Sequence, residues 1–357
     1  MNIPHTTRRR TMGLAAVSIA GVLLASLAAC SSANTAGSSG SSAAGLTTVT
    51  FMGDYTPAWA AQVPWNVAMQ KGWFKDAGLN IVYNLPPTNA APAQLVGVGK
   101  EDVTVSYTPD TLTAASKGLD VKALAALWDR NVEGIETFDP SVHTPQQLSG
   151  KSVAVYNFPM AQLNWKTFST HYGIKNVTMV SEGNYGVPIL ISGKANAIDG
   201  AAGGELTDSQ LREHKKATFF VYDQAHGIPD FYWFVIDANG NWLKTHSAAA
   251  HKFVAVMECA NKWSAEHPDQ AAAIYYKRNI AAGSEQLAEQ GWKDIVSLET
   301  APFVPNKPLG YMDPSIWSNY VHFLTTAKFL TAPVNLSNIL TNNQYVPSST
   351  PSNCASI

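Results

Sequence analysis

The chain has 357 residues, with 24 lysines and arginines against 26 aspartates and glutamates, so its formal net charge is −2. Nothing in that balance points to the basic surface that a nucleic-acid-binding chain needs. Three cysteines are too few for a disulfide-built scaffold, and their spacing is not a zinc signature.

The N-terminal segment reads as a leader. MNIPHTTRRR carries three arginines, Gly13 to Ala29 is apolar and uncharged, and Leu27-Ala28-Ala29-Cys30 resembles the bacterial lipobox. Residues 1–29 are expected to be a signal peptide, with Cys30 acylated as the new N-terminus. The alternative is an ordinary signal peptide beside an incidental cysteine. Arg9-Arg10 leaves Sec and Tat export both open. Residues 30–45 are the lipidated cysteine and a Ser/Gly/Ala tract that stays a flexible coil. Cleavage removes Arg8, Arg9 and Arg10 and leaves 21 basic residues against 26 acidic ones. Cys259 and Cys354 then either pair or stay free, with Cys259 on a helix.

From Leu46 onward strand-like and helix-like segments alternate, which indicates an α/β fold with largely parallel sheets. TTVTFMGD reads as a strand. PWNVAMQKGWFKDAG reads as one helix, with Trp65, Ala68, Met69 and Trp73 on one face and Gly78 as its stop. LNIVYNLP and VTVSY are the next strands. Thr108 is placed to cap the following helix, with Pro109 at its first position and Asp110 at its positive end. DVKALAALW is a strand, after which the polar stretch from Asp129 to Gly150 interrupts the pattern. KSVAVYNF restarts it, followed by a helix from Ala161 to Tyr172. VTMVSE (strand), GVPILISG (helix), ANAIDGAA (strand), ELTDSQLREHKK (helix) and ATFFVYD (strand) complete a second α/β unit inserted in the first. HGIPDFYWFVID returns the chain to the first unit, and HKFVAVMECANKWSAEH and PDQAAAIYYKRN are amphipathic helices.

Four segments in this order resemble solute-binding proteins of ABC importers: GWFKDAGLNIVY, VTVSYTPDTLTAASKGLDVKALAAL, PQQLSGKSVAVY and LISGKANAIDG. The resemblance covers Leu46 to Val346. Within that superfamily the chain is similar to the NMT1-like group that binds thiamine pyrimidine precursors. Asp54-Tyr55-Thr56-Pro57 looks like that group's Asp-Trp-Thr-Pro, and Ile198-Asp199-Gly200 with Glu205 looks like its pocket acid. GIPDFYW looks like its Gly-x-Pro-x-Tyr-Tyr segment. The Asn and His that usually follow the first motif are replaced by AWAAQVPW.

The resemblance implies a periplasmic-binding-protein-like fold of type II, with two α/β lobes joined by two crossover strands and the ligand in the cleft between them. Lobe I is assigned to residues 46–130 and 235–357, and lobe II to residues 131–234. Loops at the carboxyl ends of parallel strands, with the adjoining helix N-termini, would converge on the cleft. Asp54 would accept from an exocyclic amine while Tyr55 stacks on a ring, or the pair is a turn acid and a packed aromatic. Trp59 is expected to line the cleft, whereas Trp65 belongs to the core. Tyr107 and Thr108 end a strand and begin a helix, so they either meet a ligand oxygen or simply cap. Asn157, Phe158, Asn184 and Tyr185 hold the equivalent positions in the second lobe. Glu205 would pair with an amino-bearing heterocycle, or merely open its helix. Of the four aromatic residues in the returning segment, read as one alternating strand, Tyr232 is the candidate for ligand contact.

There is no G-x-S-x-G elbow, no H-E-x-x-H helix, no P-loop and no G-x-G-x-x-G after a strand. No catalytic, metal or cofactor set is therefore expected. The expectation is an exported receptor, lipid-anchored on the outer face of the bacterial cytoplasmic membrane or periplasmic. It would act as a monomer and pass a small aromatic heterocycle to a permease and its ATPase. Riboflavin, sulfonates such as taurine, and nitrate are the alternative ligands, and an exported enzyme on the same scaffold is the alternative role.

Overall fold

The computed structural model describes residues 45–357 except residues 56, 57, 88–90, 184, 300 and 301. The leader, Cys30, the linker and Asn184 lie outside the described residues.

The chain opens with β1 (Thr47–Met52), α1 (Val63–Lys71), α2 (Trp73–Asp76), β2 (Leu79–Asn84), α3 (Pro92–Gly97) and β3 (Val103–Tyr107). It continues with α4 (Thr108–Ser116), β4 (Val121–Trp128) and β5 (Glu133–Thr137). Next come β6 (Ser152–Val155), α5 (Pro159–His171), β7 (Thr178–Ser181), α6 (Val187–Ile191), β8 (Ala197–Ala201), α7 (Glu205–Glu213) and β9 (Thr218–Val221). β10 (Phe234–Asn239), α8 (Gly240–Glu266), α9 (Pro268–Arg278), α10 (Glu285–Leu298) and α11 (Pro314–Thr326) complete it.

Two five-stranded sheets result, in the orders β2-β1-β3-β10-β4 and β7-β6-β8-β5-β9. β1 pairs parallel with β2 and β3, and β6 pairs parallel with β7 and β8. The fourth strand of each sheet, β10 or β5, runs antiparallel to both neighbours. The chain crosses between the sheets twice, from β4 to β5 and from β9 to β10. Every residue of β3, and all but Lys122 of β4, is buried, as a strand covered on both faces requires.

Three departures from the sequence pattern have local causes. The helix expected over residues 64–78 is two helices, because Gly72 takes a left-handed φ of 79° at the end of α1. The interrupting polar stretch contains β5, whose polar Glu133, Glu136 and Thr137 hide a strand signal that normally rests on apolar alternation. Phe231, Tyr232 and Trp233 precede β10 and are not paired as a strand, yet all are buried along with Phe234. Cys259 of α8 is bonded to Cys354, which ties the C-terminal turn to the longest helix.

Candidate functional site

The chain leaves β1 and β3 of the first sheet, and β6 and β8 of the second, at carboxyl ends where a cleft ligand binds in open α/β folds. A hydrogen bond joins the two sides there. The Tyr107 phenol, at the end of β3, donates to Glu133 at the start of β5 over 3.0 Å. The Trp233 indole reaches the other oxygen of Glu133 at 3.4 Å. Trp59 packs edge-on against Trp233, with ring centroids 5.5 Å apart, and lies beside Gly204.

Three aromatic side chains around this junction stay open to solvent: Tyr55 (44 % exposed), Phe158 (42 %) and Tyr185 (40 %). Phe158 stacks on Tyr156 at 5.3 Å and 25°. Exposed rings on loops that follow strands cost solvation, and a planar ligand would repay it by stacking. Each tyrosine is held by an acid. The Tyr55 hydroxyl donates to Asp110 over 3.4 Å, Tyr156 donates to Glu205, and Tyr185 donates to Asp208. With Tyr107 and Glu133 there are four tyrosine–carboxylate pairs, drawn from both sheets.

These carboxyls are kept in an unusual state. Burial pushes Asp110 up to about 6. Glu133 rises to about 7, again by burial first, with the charges of Glu205 and Asp110 adding to it. Glu205 is also raised by burial, against the pull of the Tyr156 hydroxyl. Deeper in the second lobe Glu136 accepts from Ser209 over 2.7 Å and is pushed to about 8. Glu182 is pushed to about 8, and neither of its carboxyl oxygens has a partner among the described residues. Among the described residues no lysine, arginine or histidine bonds Asp110, Glu133 or Glu205, while Arg212 pairs with Asp208 at 2.8 Å. Once ionised, such a set of acids can accept hydrogen bonds from amino groups. No group of three His, Cys, Asp or Glu side chains among the described residues is placed to hold a metal ion.

Residues 59–271, more than half of the chain, match the NMT1/THI5-like family. The chain belongs to that family. A Haemophilus influenzae protein named for thiamine biosynthesis is 28% identical over 248 residues, covering 68% of this chain and 76% of that protein. The formylaminopyrimidine-binding protein of Halalkalibacterium halodurans is 25% identical over 293 residues, covering 81% and 88%. A 4-amino-5-hydroxymethyl-2-methylpyrimidine phosphate synthase of Saccharomyces cerevisiae is 26% identical over 304 residues, covering 77% and 86%. Among solved structures, the alkanesulfonate-binding protein of Xanthomonas axonopodis pv. citri superposes with a TM-score of 0.61 at 12% identity, covering 84% of this chain and 99% of that one. The aliphatic sulphonate binding protein of Escherichia coli gives 0.62 at 11%, covering 82% and 91%. The fold is thus that of the periplasmic binding proteins, with two α/β lobes.

In this member of the NMT1/THI5-like family the expected site residues fall into three groups. Tyr55, Trp59, Phe158, Tyr185 and Glu205 surround the junction, Tyr107 forms its floor, and Asn157 is an exposed neighbour of Phe158. Asp54 is 1 % exposed, with its oxygens taken by the Trp59 indole at 2.7 Å and the Gln62 amide at 2.5 Å. It therefore orients Trp59 instead of offering a free acceptor. Thr108 and Tyr232 are corrected. The Thr108 hydroxyl donates to the Tyr232 carbonyl, so it neither caps α4 nor faces the cleft. The Tyr232 ring packs against Phe303 and Trp317, and its hydroxyl accepts from the Asp313 amide at 2.7 Å. Because residues 231–233 do not run as a pleated strand, the alternation rule does not govern which ring faces the ligand; Trp233 is the one beside Trp59 and Glu133. Glu133, Tyr156 and Asp208 were missing from the sequence reading. Glu133 opens the unrecognised strand β5, and an acid heading a strand is a signal that the polar stretch concealed.

Proposed function

We propose that this chain is the extracytoplasmic binding component of an ABC importer and that its cleft takes a small amino-bearing heteroaromatic molecule, of the kind of the thiamine pyrimidine precursors. The carrying observation is the set of four tyrosine–carboxylate pairs beside exposed rings. Rings supply stacking faces for a flat heterocycle, and the acids accept from its exocyclic and ring N–H groups. The pyrimidine- and thiamine-related names of the bacterial and yeast relatives support the same ligand class. Sulfonate and nitrate fit less well, because a cleft of clustered carboxyls repels an anion. Flavin is the second ligand to test, since it too is planar and carries an N–H.

In this reading residues 46–130 with 235–357, and residues 131–234, are lobes that close on the ligand, and the closed form is what the permease and its ATPase recognise. The protein acts as a monomer, without chemistry or cofactor, tethered through Cys30 by a lipid. The synthase name of the yeast relatives keeps an enzymatic role as the competing reading. Two of the three cysteines are spent on a disulfide, which leaves no thiol cluster for metal-assisted chemistry.

A thermal-shift panel tests the ligand: aminopyrimidines should raise the melting temperature most, riboflavin less, and taurine and nitrate not at all. A shift with a sulfonate alone would sink the reading. Recovery of unchanged aminopyrimidine after prolonged incubation is expected, and its conversion would favour the enzyme. Cys30→Ala should release the protein from membranes.

A further inference from the structure

Glu205 opens α7, and the turn before it is wedged between Trp59 and α10. A Cβ built on Gly204 would stand 3.9 Å from the Trp59 ring. Gly203 meets α10 so closely that a Cβ there would stand 2.5 Å from Ile295 Cδ1 and 3.1 Å from the Gly291 carbonyl oxygen. A Cβ on Gly291 would in turn sit 3.0 Å from the Gly203 carbonyl oxygen. Glycine on both sides lets the two backbones touch. α10 is itself fixed to the elements around the first sheet. Its buried Trp292 indole donates to the Ser264 carbonyl of α8 at 2.9 Å and packs on Trp128 of β4, with ring centroids 5.5 Å apart.

One hydroxyl bridges the contact. Gly204 has no side chain to cap α7, and the Gly203 amide donates to Thr207 Oγ1 at 3.0 Å. The hydroxyl of Thr207, which is fully buried, donates to Asp294 Oδ2 of α10 at 2.6 Å, while the Gln290 amide donates to Oδ1 at 2.7 Å. A threonine hydroxyl carries one proton and two lone pairs, so it holds both partners at once. Without it the Gly203 amide and Asp294 would both lose a bond, two residues from the one that opens α7.

On the reading of Glu205 as a ligand acid in a two-lobe cleft, we propose that Thr207, clasped by Asp294 of α10, is a positioning residue. It fixes the turn from which Glu205 projects and registers that acid against Trp59. The ligand acid of the second lobe is thus held from the first.

Calorimetry of the full chain with 4-aminopyrimidine measures the effect on binding. Thr207→Val, which removes the hydroxyl and little else, should weaken binding about tenfold, and Thr207→Ser should restore it. On a Glu205→Gln background Thr207→Val should cause no further loss, because a positioning residue acts only through the residue it positions. In the ligand-free ¹⁵N-labelled protein the Trp59 indole signal, assigned by NMR from its loss in Trp59→Phe, should move in Thr207→Val and return in Thr207→Ser. Gly291→Ala suits a helix but crowds Gly203, and it should move the same signal. These shifts decide the positioning even where 4-aminopyrimidine fails to bind the wild type, an outcome that would count against the ligand reading alone. A Trp59 signal unmoved in both variants, full affinity in Thr207→Val, no restoration by Thr207→Ser, or a further tenfold loss on the Glu205→Gln background would overturn the proposal.

Discussion

Tyr107 donates its phenolic proton to Glu133 over 3.0 Å, joining the last residue of β3 in one sheet to the first residue of β5 in the other. Glu133 is a half-buried carboxyl placed where the first crossover enters the second lobe, pushed up to about 7 by burial. It therefore changes charge close to neutral pH.

An amino group bonds an ionised carboxylate better than a neutral one. Aminopyrimidine affinity should then rise between about pH 5.5 and pH 8 as Glu133 ionises, and the rise should flatten in Glu133→Gln. Isothermal calorimetry across that range checks it. A pH-independent affinity in the wild type would remove Glu133 from the site.

Glu205 holds the Tyr156 hydroxyl and the Ala201 amide at 3.3 Å while remaining half-buried at the junction. Glu205→Gln should weaken ligand binding by about 1.5 to 3 kcal/mol, as loss of a charge-assisted bond does. Tyr156→Phe, which removes only the internal bond, should cost less. Equal losses in the two variants would mean that Glu205 acts solely by positioning Tyr156.

Glu136 and Glu182 have folded-state values near 8 against an ordinary 4.5. A raised acid binds more protons folded than unfolded, so its stabilisation is full below its ordinary value and is lost as pH rises through the folded value. The melting temperature of the ligand-free protein should fall between about pH 5 and pH 8.5, and Glu182→Gln should reduce that slope. Melts in a buffer series decide it. A melting temperature that climbs over this range would show that these groups are ionised in the folded protein.

The Cys259–Cys354 bond spans 95 residues. Closing a loop of that size restricts the unfolded chain, and removing the bond should cost roughly 4 to 5 kcal/mol. Denaturant unfolding of the Cys259→Ala, Cys354→Ala double variant should show a lower midpoint. An unchanged midpoint would mean that the C-terminal turn is held by packing alone.

The NMT1/THI5-like character was legible where local chemistry is repetitive. Strand–helix alternation and the stop at Gly78 are short-range features, and they indicated an α/β fold, while the resemblance, with its motif around Glu205, implied loops converging on a cleft. Tyr55, Phe158 and Tyr185 followed from their positions after strands or before a helix, and each is an exposed ring in the structure.

Other features depend on partners far away in the chain. Asp54 is one residue from Tyr55, yet burial beneath Trp59 and Gln62 gives it a different role. Tyr232 lies in a run of four rings, and only its packing with Phe303 and Trp317, some 70 to 85 residues later, turns it from the cleft. β5 is a strand because β8 and β9 pair with it on both sides, not because its own sequence alternates. Sequence by itself determined the alternation of elements and the chemical types available, since those follow from side-chain patterning. Tertiary structure alone decided which acids share a site and at what charge, because burial and proximity between distant residues set both.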